Sequence, residues 1–278
     1  MPHIKPARRT VRAAAACLLA GAVLLALISA SDAKSVGRTA SSPKPTIVLI
    51  HGAWADGSSW SGVTARLQKA GYTVDVPPNP LRGLASDSAY VASYLKSIQG
   101  PIILVGHSYG GAVITDAATG NANVKALVYV DAYIPDTGDT ILGLTSAKPG
   151  TTLDPTKAFN AVPFGSAPGE VDLYIKPSVF RADVAGDESP RAAAILAAEQ
   201  RPLAAGALTE KSTTPAWKTI PSWALIGTED MVLPPAEQVF MTHRAHAKTT
   251  KVKAAHLSMV THPSLVTKII LRAVAATR

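Results

Sequence analysis

One cysteine, Cys17, stands among 278 residues. It lies among alanines near the amino terminus, before most of an apolar run, where a lipoprotein anchor is not expected. Everything after it is free of thiol, so no disulfide can staple the folded part and its stability must come from a core. Also missing is any concentrated basic stripe with aromatic or glycine-rich recognition elements, which speaks against a nucleic-acid surface. No pair of histidines has metal-ligand spacing with a third ligand near it, so no metal site is expected. No internal repeat is visible, which excludes the solenoid architectures.

The amino terminus reads as a targeting segment. Lys5, Arg8, Arg9 and Arg12 precede an apolar stretch from Ala13 to Ala30, and Ser31-Asp32-Ala33 is a small-x-small cleavage site. Residues 1–33 are therefore expected to be a signal peptide cleaved after Ala33, with export to the periplasm or outside. The competing reading is an uncleaved anchor. The Arg8-Arg9 pair hints at twin-arginine export, although Thr10-Val11-Arg12 continues that motif poorly. No stable membrane insertion is expected once the signal is gone.

The segment holds four of the 27 Lys and Arg and one of the 19 Asp and Glu, which leaves 23 against 18, a net of +5 rather than +8. Much of the basicity is thus a targeting feature. Residues 34–45, rich in Ser, Thr, Lys and Pro, read as a flexible leader. Residues 46–278 are long enough for one large domain and too short for two full enzyme domains.

Within that domain, apolar β-branched runs alternate with helical patterns. The expected strands are Thr46–Ile50, Thr73–Val76, Ile102–Val105, Ala126–Val130, Trp223–Ile226 and, more weakly, Thr250–Lys253. Most lack the alternation of a half-solvated strand, as suits a sheet covered on both faces. Helices are expected at Trp60–Ala70, Asp87–Ile98, Gly111–Ala118, Pro235–Arg244 and Ser264–Ala275. This order implies an α/β fold, a doubly wound and mostly parallel sheet. About ninety residues separate Val130 from Trp223, far more than one crossover needs. Residues 135–215, with a helical stretch at Pro190–Gln200, are read as a helical cap inserted over the carboxyl ends of the strands.

Gly106-His107-Ser108-Tyr109-Gly110 follows the buried-type strand and opens a helix. That is the strand–turn–helix setting of a nucleophile elbow, where glycines remove side chains that would collide around an exposed hydroxyl. A serine needs a base, and the base needs an orienting carboxylate. His256 follows the last strand. Asp230 follows the strand at Trp223–Ile226 and precedes Met231-Val232-Leu233-Pro234, which leads into a helix. Glu229 and Asp131 are rivals for the carboxylate, and Asp230 is favoured by its place past the strand end. His243, His246 and His262 lie in or beside helices and suit surface or structural roles. The amides of Tyr109, at a helix start, and Ala53, in His51-Gly52-Ala53-Trp54, are the expected oxyanion donors. Trp54 is a candidate to line the substrate pocket. Phe159, Phe164, Tyr174 and Phe180 are further candidates, against the alternative that each merely packs the cap onto the core.

Taken as a set, His51-Gly52-Ala53-Trp54, Gly106-His107-Ser108-Tyr109-Gly110-Gly111, Gly227-Thr228-Glu229-Asp230 and Ala255-His256-Leu257-Ser258 resemble the α/β-hydrolase superfamily. More narrowly they resemble the small bacterial esterases akin to plant methylesterases, salicylate-binding esterases and hydroxynitrile lyases. The resemblance spans roughly residues 45–275. It implies a serine hydrolase of small-molecule esters with a small cap and no cofactor, in which Ser108 is nucleophile, His256 base, Asp230 its partner, and Ala53 and Tyr109 the oxyanion donors. Two alternatives share the scaffold. The lyases typically carry a lysine after the histidine and a threonine in the first loop, where this chain has Leu257 and Gly52. A non-catalytic ligand-binding protein would have no need of all three triad side chains.

Overall fold

The computed structural model describes residues 43–151, 155–166 and 169–277. The expected signal peptide and most of the leader lie outside the described residues.

Among the described residues the strands are β1 (Thr46–Ile50), β2 (Val74–Asp75), β3 (Ile102–His107), β4 (Val124–Val130), β5 (Phe159–Pro163), β6 (Val171–Ile175), β7 (Leu203–Ala204), β8 (Ser222–Gly227) and β9 (Lys248–Val252). Six form one sheet in the order β2-β1-β3-β4-β8-β9, and every neighbouring pair in it is parallel. All six residues of β3 and all six of β8 are buried. This is why those segments read as unbroken apolar runs: a central parallel strand has helices on both faces. β9 is the exception. It lies at the edge with Lys248 and Lys251 exposed, and such charges discourage further strand pairing. Its half-solvated pattern also explains why it begins two residues before the expected Thr250.

The register sets the working rim. Ile50 pairs with Gly106, and Gly106 with Tyr129, so the chain leaves β1, β3 and β4 at one level, at His51, Ser108 and Asp131. β3 runs through His107, two residues past the expected end, and the next helix already begins at Tyr109. Only Ser108 is left to make the turn. The helix Leu84–Ser97 starts three residues earlier than expected, because the Asp87 carboxylate turns back to accept from the amides of Arg82 and Gly83.

The insert between β4 and β8 is not purely helical. It carries the helices Ile141–Ala147, Pro177–Asp183 and Pro190–Glu199, but also an antiparallel sheet in the order β5-β6-β7. Those strands escaped the sequence because they are short and shallow. Four of the five β5 residues are exposed, so no apolar alternation marks it. The described helices include none long and apolar enough to cross a membrane.

Candidate active site

Ser108 occupies the turn between β3 and the helix Tyr109–Ala117 with φ 50° and ψ −125°. Positive φ is rare for a residue with a side chain and costs of order 1–3 kcal/mol. The turn is possible because its neighbours lack Cβ atoms. A Cβ on Gly106 would lie 2.6 Å from the Gly110 carbonyl oxygen, and one on Gly52 would lie 2.7 Å from the Cβ of Ser108. The second contact brings the loop after β1 directly against the serine.

Three side chains from three loops meet here in one chain of hydrogen bonds. His256 Nε2 is 2.8 Å from Ser108 Oγ, and His256 Nδ1 donates to Asp230 Oδ2 at 2.7 Å. Ser108, Asp230 and His256 are 2%, 1% and 1% exposed, so water does not compete for these bonds. Asp230 Oδ1 accepts from the amides of Val232 and Leu233, and Oδ2 accepts also from Gln238 Nε2 at 2.7 Å. Burial resists protonation of His256, yet the charge and hydrogen bond of Asp230, helped by Asp131, prevail and raise its pKa above the ordinary value. A strengthened base beside a serine hydroxyl is what proton abstraction requires.

The rivals fall elsewhere. Glu229 is exposed and faces Lys253 at 3.5 Å. Asp131 is buried but accepts from the amides of Gly227 and Ser258.

Two further histidines brace the site. The Asn79 amide donates to His51 Nε2, so His51 Nδ1–H must donate to the Gly52 carbonyl. That carbonyl belongs to the same planar peptide as the Ala53 N–H and points the opposite way, so holding it also aims the amide. His107 Nε2–H donates to the His256 carbonyl, and burial holds the His107 imidazole neutral, its pKa well below the usual histidine value. The Tyr109 hydroxyl donates to Asp87 at 2.8 Å, which fixes the residue that follows the serine.

Ala53, Ser108 and Tyr109 open on a cavity of about 290 Å³. Trp54, Phe159, Leu173 and Leu203 give it an apolar wall. Trp54 and Phe159 stack at 5.3 Å, and the Trp54 indole donates to the Leu173 carbonyl, tying the first loop to β6. Of the other aromatic candidates, Phe180 is fully buried in the core. Phe164 is 45% exposed and lies under the Arg82 guanidinium. Tyr174 is not among the lining residues. Sequence reasoning missed Gln238, Asn79 and Asp87, inward-facing polar residues whose partners Asp230, His51 and Tyr109 lie 8, 28 and 22 residues away in the chain. For Gln238 the available signal was a polar side chain on the buried face of the helix Pro235–Arg244. Among the described residues no cluster of three or more His, Cys, Asp or Glu could hold a metal ion.

A model of the alpha/beta hydrolase family matches residues 47–268. The carbendazim hydrolyzing esterase of Nocardioides sp. (strain SG-4G) is 36% identical over 110 residues, 35% of this chain and 46% of that protein. The chain thus spans about half the length of that relative. The alpha/beta hydrolase nvfD of Aspergillus novofumigatus (strain IBT 16806) is 25% identical over 252 residues, 83% of this chain and 96% of that one. Among solved structures, an extracellular alpha/beta-hydrolase from a Paenibacillus species superimposes with a TM-score of 0.67 at 23% identity, covering 82% of this chain and 98% of that one.

Proposed function

Because the chain belongs to the alpha/beta hydrolase family, we propose that it is an exported carboxylic-ester hydrolase working through an acyl-enzyme. The observation that carries this reading is the buried chain Ser108–His256–Asp230, with 2.8 and 2.7 Å links. His256 takes the Ser108 proton as Oγ attacks the acyl carbon. The oxyanion that forms is met by the amides of Ala53 and Tyr109, and the second of these lies at a helix start whose dipole favours negative charge. His256 then passes its proton to the leaving alcohol. In the second half, water attacks the acyl-enzyme with His256 again as base, and Ser108 is released with its proton restored.

The apolar wall of the cavity supports uncharged substrates of modest size. The esterase relative, 36% identical over 46% of its length, supports an ester as the bond that is cleaved. Lyase chemistry is disfavoured by Leu257, which offers no cation to a departing cyanide, and by the crowding at Gly52, where even a Cβ meets Ser108. A fluorophosphonate probe should label Ser108, and Ser108→Ala should reduce p-nitrophenyl ester turnover by about 10⁴-fold or more while the fold survives. Undiminished turnover in that variant would remove the proposed nucleophile.

A further inference from the structure

We propose that Asp131 is a positioning residue of this site, a carboxylate brace that locks the two loops carrying Asp230 and His256 to the end of β4 and supports the imidazole with a second negative charge. The inference rests on the triad reading above and goes beyond it, since Asp131 bonds to no triad side chain.

Its position is unusual in three ways. Asp131 leaves β4 at φ 46°, a conformation that a β-carbon disfavours. Its side chain is fully buried. Its two oxygens are spent on two different loops, Oδ1 accepting from the Gly227 amide at 2.7 Å and Oδ2 from the Ser258 amide at 3.0 Å. Gly227 ends β8, three residues before Asp230, and Ser258 lies two residues after His256. Its own amide donates to Leu225 of β8. One residue therefore joins the ends of β4 and β8 to the loop after β9.

The donors dictate the residue type. Two converging N–H groups need two acceptor oxygens a short distance apart, which a carboxylate supplies. Asparagine has one acceptor and would turn N–H against N–H at the other. The approach is close enough that a Cβ on Gly227 would sit 3.1 Å from Oδ1 and 2.8 Å from two backbone oxygens.

The charged and titratable groups acting on Asp131 are Asp230 from the loop after β8 and His256 from the loop after β9. His107 on β3 lies behind the imidazole, with ring centroids 4.9 Å apart. Burial first, and then the Asp230 charge, push the Asp131 carboxyl above the ordinary carboxylate range. In its ionised form the brace carries a full negative charge. When His256 accepts the serine proton, the new imidazolium then faces two carboxylates instead of one.

The test is Asp131→Asn assayed on a p-nitrophenyl ester across pH, with active sites counted by fluorophosphonate titration. Expected is a kcat per active site lower by about tenfold to a hundredfold with KM within about twofold, because Asp131 does not line the cavity. The acid limb of kcat/KM should also move to lower pH, since removing a negative charge lowers the pKa of His256. A variant with wild-type kcat per active site, or one whose acid limb stays in place, overturns the proposal. Should the variant not fold, the wild-type protein decides: the Gly227 and Ser258 amide protons, both bonded to the Asp131 carboxylate, should be among the slowly exchanging amides in native-state hydrogen exchange, and rapid exchange of either overturns it. Ser108→Ala separates the two readings. If that variant is inactive while Asp131→Asn is normal, the brace fails and the triad stands.

Discussion

The rim of the parallel sheet and the insert that covers it are built on opposite terms. At the rim, each functional residue follows the end of a strand of the parallel sheet and is held by its turn or by hydrogen bonds with the backbone and with other buried side chains. Ser108 is pinned by its turn, Asp230 by the amides of Val232 and Leu233 and by Gln238, and His256 by Asp230 and His107. The insert has a half-exposed three-stranded sheet and short helices, and meets the first loop through the Trp54 indole bond to the Leu173 carbonyl and the Trp54 amide bond to the Arg201 carbonyl. Chemistry needs positions held to a fraction of an ångström, whereas an apolar pocket wall tolerates substitution if its volume is kept. On the proposed reading, reaction type belongs to the sheet and substrate choice to the insert.

The sharpest way to break that division is at Asp230. Asp230→Asn leaves the shape but presents an amide where His256 Nδ1–H now donates, and kcat should fall by about 10⁴-fold in steady-state assays. A loss of only a few-fold would mean that the rim does not depend on its held geometry. Next in size is a matched pair of truncations. Leu104→Ala, in the middle of β3 and fully buried, should cost about 2–5 kcal/mol in urea unfolding. Leu173→Ala in β6, only half-buried, should cost less than about 1.5 kcal/mol and instead change the preference among esters of increasing chain length. Equal losses of stability in the two would erase the distinction.

The smallest effect is expected at Gln238. Its amide donates to the same Asp230 oxygen that holds His256 and so competes for that oxygen's electron density. Gln238→Leu should strengthen the pull of Asp230 on the imidazolium and move the acid limb of kcat/KM to higher pH, opposite in sign to Asp131→Asn. The rate should fall by about tenfold or less. Wild-type activity should itself decline on the acid side with a midpoint above 6.5, because the pKa of His256 is raised from that ordinary value and only the neutral ring can take a proton. A limb that moves the same way in both variants would deny them their separate roles.

Legibility follows burial. β1, β3, β4 and β8 were readable because central parallel strands must be apolar along their whole length, and the elbow was readable because only glycine fits where a Cβ would lie 2.6 Å from a backbone oxygen. The strands β5 to β7 were not, since β5 and β6 are half-solvated and β7, though buried, is only two residues long and leaves no period to count. Phe159 lines the cavity while Phe180 is core, yet nothing in their neighbouring residues separates the two.

Local sequence by itself determined the strand–turn–helix around Ser108, the strand-end placing of Asp230 and His256, and the alternation of strands and helices along the chain, because each is written in residues near one another in the chain. Only the tertiary structure decided that the Asp131 carboxylate would join two loops and that the Tyr109 hydroxyl would reach Asp87. It also decided which aromatics would face the cavity. Those outcomes depend on hydrogen-bond partners and packing neighbours that the chain brings together only when the whole sheet and its insert have closed.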